Sequence, residues 1–191
     1  AEIDGVLCDF RGSHLLVAVG RSPNLDKLDL ASAGIETAPG GIVVDARLRT
    51  TNKNVIAVGD AAEGYKFTHI AGYQAGIVIR NVLFRLPAKV DYRAVPWVTY
   101  TAPELAQVGL TEQAARDAHG DITVLRADVA DNDRARADGE IHGRLKVMTT
   151  KKGVVVGASM VGEKAGELIQ SWCLPVAKGL KIKDMAELIL P

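Results

Sequence analysis

Two apolar runs, each ending in glycine, most restrict what this chain can fold into. The first is residues 13–20 (SHLLVAVG), and the second is residues 55–58 (VIAV), which stops at Gly59. Apolar runs without polar alternation are typical of strands buried on both faces, as in a parallel sheet covered by helices. A shorter run at residues 42–45 (IVVD) predicts a further strand. The first half of the chain is therefore predicted to be α/β.

A single long helix is predicted from about Thr68 to Leu86, where Pro87 would close it. Its apolar residues recur at near-helical spacing, and Gly72 and Gly76 lie on a face of small residues. Each glycine inside a helix costs about 1 kcal/mol relative to alanine. We therefore expect this face to pack closely against another element or a ligand.

The pattern changes after residues 87–95, which we interpret as a linker. The predicted strands are 96–100, 105–109, 122–128, 144–149 and 154–161. The predicted helices run from Thr111 (as N-cap) to His119, from about Glu163 to Lys178, and from Asp184 to Leu190. The acidic residues 128–133 are interpreted as a solvated loop. Strands grouped before helices predict an α+β second half, with a mainly antiparallel sheet flanked by helices.

Charge and hydropathy exclude several kinds of partner. Lys plus Arg and Asp plus Glu number 23 each in the 191 residues, so the formal net charge is zero. This balance gives no basic surface for nucleic acid. No apolar run reaches the roughly 18 residues that a membrane span needs. The first residues carry no signal-peptide pattern, and we expect the chain to begin within a fold.

The cysteines and histidines predict neither a redox pair nor a metal site. Cys8 and Cys173 belong to no CxxC or CxxxxC pair, and each is interpreted as a small apolar residue. Sparse, unpaired cysteine suits a reducing compartment, so a cytoplasmic location is expected. The four histidines lack metal-ligand spacing. We assign no metal ligand and no catalytic residue within this chain.

The most informative unit is the second apolar run followed by Gly59-Asp60. A buried strand that ends in glycine and a carboxylate places both at the sheet edge where α/β proteins bind ligands. Glycine lets a ligand approach the backbone, and aspartate accepts hydrogen bonds from sugar-type hydroxyls. Gly-Asp is also an ordinary turn. The helix beginning near Thr68 favours a ligand, because its first amides suit an electron-rich ring. A polyol attached to an aromatic, reducible ring would fit.

Five blocks in order resemble the glutathione reductase, dihydrolipoamide dehydrogenase and mercuric reductase family, the pyridine nucleotide–disulfide oxidoreductases. The blocks are 15–24 (LLVAVGRSPN), 55–60 (VIAVGD), 103–112 (PELAQVGLTE), 155–162 (VVGASMVG) and 165–169 (AGELI). The resemblance implies a homodimeric enzyme that passes electrons from NAD(P)H through FAD to a disulfide or a metal ion. The competing hypothesis is a stand-alone dimerisation module without cofactor or catalysis.

The resemblance also implies roles for individual residues. Gly59 and Asp60 would contact the ribityl chain of FAD, and the backbone around Phe67, Thr68 and His69 would face the pyrimidine end of the flavin. Taken alone, His69 is equally a polar residue at a helix start. Residues after about 95 would form the dimer interface. Three aromatic residues there are candidate interface anchors, and burial in the core is at least as good an interpretation of them. These candidates are Trp97, Tyr100 and Trp172.

The same resemblance divides the chain and limits its activity. Residues 1–22 would be the C-terminal edge of the NAD(P)-binding domain, 23–94 the central FAD-contacting segment, and 95–191 the interface domain, truncated at its C-terminus. The family's CxxxxC pair, its GxGxxG motif and its final His-Pro or Tyr-Pro motif are absent from this sequence. We therefore expect the chain alone to be inactive and not to retain FAD. The electron acceptor and the choice between NADH and NADPH stay open.

Overall fold

The chain folds into two compact units in a computed structural model that describes residues 1–189. The first unit is Ala1–Val90 and the second is Asp91–Pro191. The division falls inside the segment 87–95, which the sequence suggested as a linker. The domain boundaries derived from the family resemblance remain a prediction.

The first unit has little regular structure apart from one helix. Two short antiparallel hairpins pair β1 with β2 and β3 with β4. The elements are β1 (Glu2–Ile3), β2 (Val6–Leu7), β3 (Thr37–Ala38), β4 (Gly41–Ile42) and α1 (Thr68–Val82). A small core of Ile35, Ile42, Ala57 and Ala62 holds the centre of the unit.

The prediction of buried parallel strands in this unit is wrong for the chain as it stands. Residues 13–20 form no strand and are exposed throughout, with Leu15 at 88% and Val19 at 95%. Residues 55–58 contribute one antiparallel bridge, from Ile56 to Arg49, and the predicted strand 42–45 is reduced to β4. A strand requires hydrogen-bonding neighbours, and residues 1–189 supply none to residues 13–20.

Helix α1 begins at the predicted residue and ends four residues early. Leu83 caps it, and Arg85 then adopts a left-handed conformation with φ of +54°. The chain therefore leaves the helix before Pro87. A Cβ atom added at Gly72 or Gly76 would meet no atom within 4 Å. Within the described residues, packing against another element does not explain these glycines, and the expected contact with a ligand stays a prediction.

The second unit is built on a five-stranded antiparallel sheet in the order β5-β6-β9-β8-β7. The strands are β5 (Pro96–Thr99), β6 (Glu104–Gly109), β7 (Ile122–Asp128), β8 (Arg144–Thr150) and β9 (Val155–Gly162). Each lies within one or two residues of its predicted bounds. All five strands have hydrogen-bonding partners within the same unit, so the predicted strands form there.

Helices cover both faces of this sheet. They are α2 (Glu112–His119), α3 (Asp133–Asp138), α4 (Ala165–Leu168), α5 (Cys173–Lys178) and α6 (Ile182–Ala186). On one face Val108 and Ala158 pack with Ile169 and Val176, while on the other Met148 packs with Ala115 of α2. The predicted α+β arrangement, a mainly antiparallel sheet flanked by helices, is confirmed.

Two helix predictions and one loop prediction in the second unit need correction. The single helix expected over 163–178 is divided into α4, a 3-10 segment at Ile169–Trp172 and α5, with Gly179 ending it at φ of +65° as expected. The segment 128–133, which we interpreted as a solvated loop, contains a 3-10 turn at Val129–Asp131 and the first residue of α3, whose N-cap is Asn132. The last helix is α6 rather than 184–190, and Leu190 lies outside the described residues.

Candidate cofactor site

The Gly59-Asp60 turn is a 3-10 turn that runs from Gly59 to Ala61. Gly59 is buried and has φ of +62°, a conformation that glycine adopts without strain. A Cβ atom at this position would lie 3.2 Å from the Cβ of Ala71 on α1. The turn thus approaches the helix so closely that a larger residue at position 59 would displace one of them.

Asp60 presents its carboxylate to solvent at this turn. The side chain is 55% exposed, and Oδ2 lies 4.0 Å from Nη1 of Arg21, which is itself largely exposed. An ion pair this open and this long contributes little stability. The Asp60 carboxylate therefore remains available to accept hydrogen bonds from another group.

Lys66 binds the main chain of the turn at the Asp60 carbonyl group. Its ammonium donates a 3.0 Å hydrogen bond to the carbonyl oxygen of Asp60 and a 2.7 Å bond to that of Gly40. Arg21 in turn donates to the carbonyl oxygen of Lys66 at 3.2 Å. These contacts tie the Asp60 backbone to the β3–β4 hairpin, although they leave its carboxylate free to turn.

The first turn of α1 follows within the same unit. Phe67 is the N-cap in an extended conformation, and no side chain caps the helix. The amides of Ile70 and Ala71 donate to the Phe67 carbonyl oxygen. The amides of Thr68 and His69 have no such backbone acceptor among the described residues, so they and the helix dipole favour an electron-rich group here.

An aromatic stack orders the approach to the helix. The rings of Phe67 and His69 are nearly parallel, with 5.3 Å between centroids and 8° between planes. The ring of Tyr65 also stacks on Phe67, with 6.2 Å between centroids and 23° between planes. His69 is exposed, so its ring is held by stacking rather than by burial. Tyr65 was not among the residues predicted from the sequence.

Gln74 is a second residue that the sequence analysis missed. It lies on α1, is 2% exposed, and accepts a 2.6 Å hydrogen bond from the Gly59 amide through Oε1. A glutamine inside a helix gives no local signal for such a contact. The structure thus brings Gly59 and Asp60 into one unit with Phe67, Thr68 and His69, joined by Gln74.

The other reactive groups form no further centre. Cys8 and Cys173 are both free thiols, and partial burial raises the pKa of Cys173 above its ordinary value. Within residues 1–189, no group of three or more His, Cys, Asp or Glu side chains could hold a metal ion. The same part of the chain contains no helix long and apolar enough to cross a membrane.

The aromatic candidates for a dimer interface differ in exposure. Tyr100 is 83% exposed, Trp97 is half-buried, and Trp172 packs against the main core of the second unit. Leu168 and Leu174 also expose large parts of their side chains. Tyr100 is therefore the most accessible of the three candidates for an interface anchor. Trp172 instead packs against the core, which was the alternative interpretation of these aromatic residues.

Comparisons with known proteins identify the class to which this fold and this turn belong. The profile of the pyridine nucleotide-disulphide oxidoreductase dimerisation domain matches residues 95–191. The profile of the pyridine nucleotide-disulphide oxidoreductases matches residues 5–75. The chain belongs to the pyridine nucleotide-disulphide oxidoreductase family, whose members depend on FAD and NAD(P).

Curated relatives include two kinds of enzyme. A mercuric reductase from Staphylococcus aureus is 37% identical over 100% of this chain and 35% of its own length. A dihydrolipoyl dehydrogenase from Bacillus subtilis (strain 168) is 36% identical over 97% of this chain and 40% of its own length. The chain thus spans between a third and two fifths of these relatives.

Solved structures share the fold. The HOCl-induced flavoprotein disulfide reductase RclA from Escherichia coli matches with a TM-score of 0.83 and 33% identity, over 91% of this chain and 41% of that one. LpdA from Mycobacterium tuberculosis matches with a TM-score of 0.85 and 27% identity, over 94% and 40%. This likeness confirms the predicted fold class.

Proposed function

We propose that this chain is part of an FAD-dependent NAD(P)H oxidoreductase, in which it supplies part of the flavin site and the homodimer interface. The observation that carries the proposal is the contact of the buried Gly59 turn with α1, which groups the Asp60 carboxylate with the uncapped start of that helix. Family membership supports the same assignment.

The residues present fit a flavin in three respects. Gly59 has no side chain and a left-handed backbone, so the turn can lie against α1 with Asp60 next to it in the chain. The exposed carboxylate of Asp60 accepts hydrogen bonds, as the hydroxyls of a ribityl chain require. The amides of Thr68 and His69 begin a 15-residue helix, whose dipole favours a group that gains negative charge.

Each residue then has a defined task. Bound FAD would supply the redox chemistry by which electrons pass from NAD(P)H to a disulfide or to a metal ion. Asp60 would accept hydrogen bonds from the ribityl hydroxyls and fix their orientation. The Thr68 and His69 amides would donate to the pyrimidine end and stabilise negative charge there. Phe67 would keep the helix start in place through its stack with His69.

We expect the purified chain not to retain FAD, because its sequence has no GxGxxG motif to hold a pyrophosphate. Weak binding of the ribityl and ring portions is still measurable. Titration with millimolar FMN, followed by amide NMR, should shift the resonances of residues 59–61 and 67–70. Asp60→Asn should weaken this response. Asp26→Asn, which removes an exposed carboxylate elsewhere in the unit, should not.

The stand-alone module without cofactor gives the opposite result. If FMN leaves residues 59–61 and 67–70 unshifted in the unsubstituted chain, the flavin assignment is wrong and the dimerisation module is the better description. Equal responses of the Asp60→Asn and Asp26→Asn variants would retain a flavin site but remove Asp60 from it.

The second half of the chain is proposed to form a homodimer through residues after about 95. The name of the matching family domain and the exposed side chains of Tyr100, Leu168 and Leu174 support this assignment. Neither nucleic acid nor a membrane is proposed as a partner, since the chain has a net charge of zero and no apolar run of spanning length. We also propose a cytoplasmic location, because two unpaired cysteines suit a reducing compartment.

A further inference from the structure

A buried glutamine on α1 makes the contact that joins the two parts of the candidate site. Gln74 lies between Ile70 and Ile77 on the buried face of the helix, and all three side chains are almost fully inaccessible to solvent. The Oε1 atom of Gln74 accepts a hydrogen bond from the Gly59 amide at 2.6 Å, across 15 residues of sequence. The Gln74 side chain therefore fills space in the core and also binds the main chain of the turn.

The Gly59 amide needs this acceptor. Gly59 is buried and opens a 3-10 turn, in which its carbonyl oxygen accepts from the Ala62 amide at 3.1 Å. An amide at the start of such a turn receives no acceptor from the turn itself, and a buried amide without one costs free energy. Gln74 therefore stabilises the turn in the conformation that presents Asp60.

The helix transmits this constraint to the other part of the site. Thr68 and Gln74 are on the same rigid helix, separated along its axis by about 9 Å at 1.5 Å per residue. A bond from Gln74 to the turn therefore fixes how far Asp60 lies from the first amides of α1. Lys66 binds the carbonyl oxygens of Gly40 and Asp60 through an ammonium that can only donate, so it cannot supply an acceptor for the Gly59 amide.

We propose that Gln74 is a positioning residue, which holds the Gly59-Asp60 turn against α1 and sets the spacing between the Asp60 carboxylate and the amides of Thr68 and His69. The identity of the ligand at that spacing rests on the proposed function. The geometry of the turn does not, and the two can be tested separately.

Three substitutions distinguish positioning from ordinary burial. Gln74→Met keeps the length and the apolar contacts but offers only a weak acceptor. Gln74→Glu retains a strong acceptor at the same reach. Ile77→Val removes one methyl group from the same buried face without touching the turn, and so supplies a control for loss of core packing.

The first readout is the Gly59 amide, observed by NMR in the chain without ligand. Gln74→Met should move its proton resonance upfield and speed its hydrogen exchange by about tenfold, as expected for loss of one buried hydrogen bond. Gln74→Glu should restore the slow exchange. Ile77→Val should leave the Gly59 resonance in place. An unchanged Gly59 amide in Gln74→Met would overturn the proposal.

The second readout is FMN affinity from the same spectra. Gln74→Met should bind FMN about tenfold more weakly, whereas Ile77→Val should bind it as the unsubstituted chain does. A displaced Gly59 with unchanged FMN affinity would contradict the positioning of Asp60 for a flavin. If the unsubstituted chain shows no response to FMN, the proposed function fails, while the Gly59 measurements still decide the role of Gln74 in the turn.

Discussion

The carboxylate of Glu104 accepts a 2.9 Å hydrogen bond from the main-chain amide of Gly166, 62 residues away in the sequence. Glu104 begins β6 and Gly166 lies in the first turn of α4, so one bond fastens the helical layer to the sheet. A Cβ atom on Gly166 would lie 3.1 Å from a methyl group of Val98. The contact therefore depends on both the carboxylate and the glycine.

Replacing Glu104 with alanine should destabilise the second unit by about 1.5 kcal/mol or more, because it removes a charged acceptor from a partly buried amide. Glu104→Gln should cost less, since its amide oxygen still accepts. Chemical denaturation followed by tryptophan fluorescence measures this unit, because Trp97 and Trp172 are the only tryptophans of the chain and both lie in it. The exposed Glu140 supplies the control, and equal effects of Glu104→Ala and Glu140→Ala would refute the prediction.

Glycine-to-alanine substitutions at two positions of the first unit should have opposite signs. Gly59→Ala should destabilise the unit by about 1 kcal/mol or more, because of its left-handed backbone and its contact with Ala71. Gly72→Ala should stabilise it by about 0.5–1 kcal/mol, because a Cβ there meets no neighbour and alanine favours the helix. Hydrogen exchange of the α1 amides measures both changes. A stabilising Gly59→Ala would show that the turn differs from the one described.

Stability at acid pH should depend on Glu112. The Arg116 and Lys146 side chains hold its pKa below the ordinary value of 4.5. The unfolded carboxyl therefore binds a proton more readily than the folded one. The contribution of Glu112 to the stability of the fold is complete at pH values above its ordinary pKa of 4.5. It is lost as the pH falls through the lowered pKa of the folded state.

Glu112→Gln should accordingly flatten the loss of stability between neutral and acid pH. Urea denaturation at a series of pH values measures the slope. Glu163→Gln is the matched control, because Glu163 is exposed and forms no ion pair with the described residues. The same slope in both variants would remove Glu112 from the acid response.

Self-association should be sensitive to the exposed face of the second unit. Tyr100→Asp should weaken dimerisation by about tenfold or more if this ring is an interface anchor, because a central aromatic contributes at least 1.4 kcal/mol. Leu28→Asp makes the same kind of change at an exposed apolar residue of the first unit. Sedimentation velocity over a range of concentrations separates the two variants. A monomer at high micromolar concentration in the unsubstituted chain would rule out the proposed dimer.

The second unit was predictable because its signals are local. Strand β7 has its predicted bounds, and Thr111 caps α2 by accepting from the Ala114 amide. Helix α3 was not predicted, because its six residues include no buried side chain and so give no apolar periodicity. Its start depends on the Asn132 cap. In the first unit, residues 13–20 have the composition of a buried strand, but their structure depends on neighbours that composition cannot supply.

The candidate site also contains residues with a local sequence signal and residues whose role depends on distant parts of the chain. Gly59 and Asp60 were proposed as binding residues from the sequence because they follow an apolar run and precede a predicted helix, and the structure groups them with the start of that helix. Gln74 was not, because its role depends on a tertiary contact across 15 residues. Lys66 likewise acts on two carbonyl oxygens from different segments. A residue whose own side chain suggests binding can be proposed from the sequence, whereas a residue that holds another in place requires coordinates.

The exposed residues 13–20 also make the first unit vulnerable to enzymes that cut polypeptides. Proteases cleave most readily where an accessible backbone is free of secondary structure, and this segment is accessible along its whole length. Arg11 and Arg21 flank it and are specific points for trypsin. The rate of tryptic cleavage therefore reports whether this segment is covered. Any molecule that pairs with residues 13–20, whether a longer chain or a second copy, would slow the cleavage.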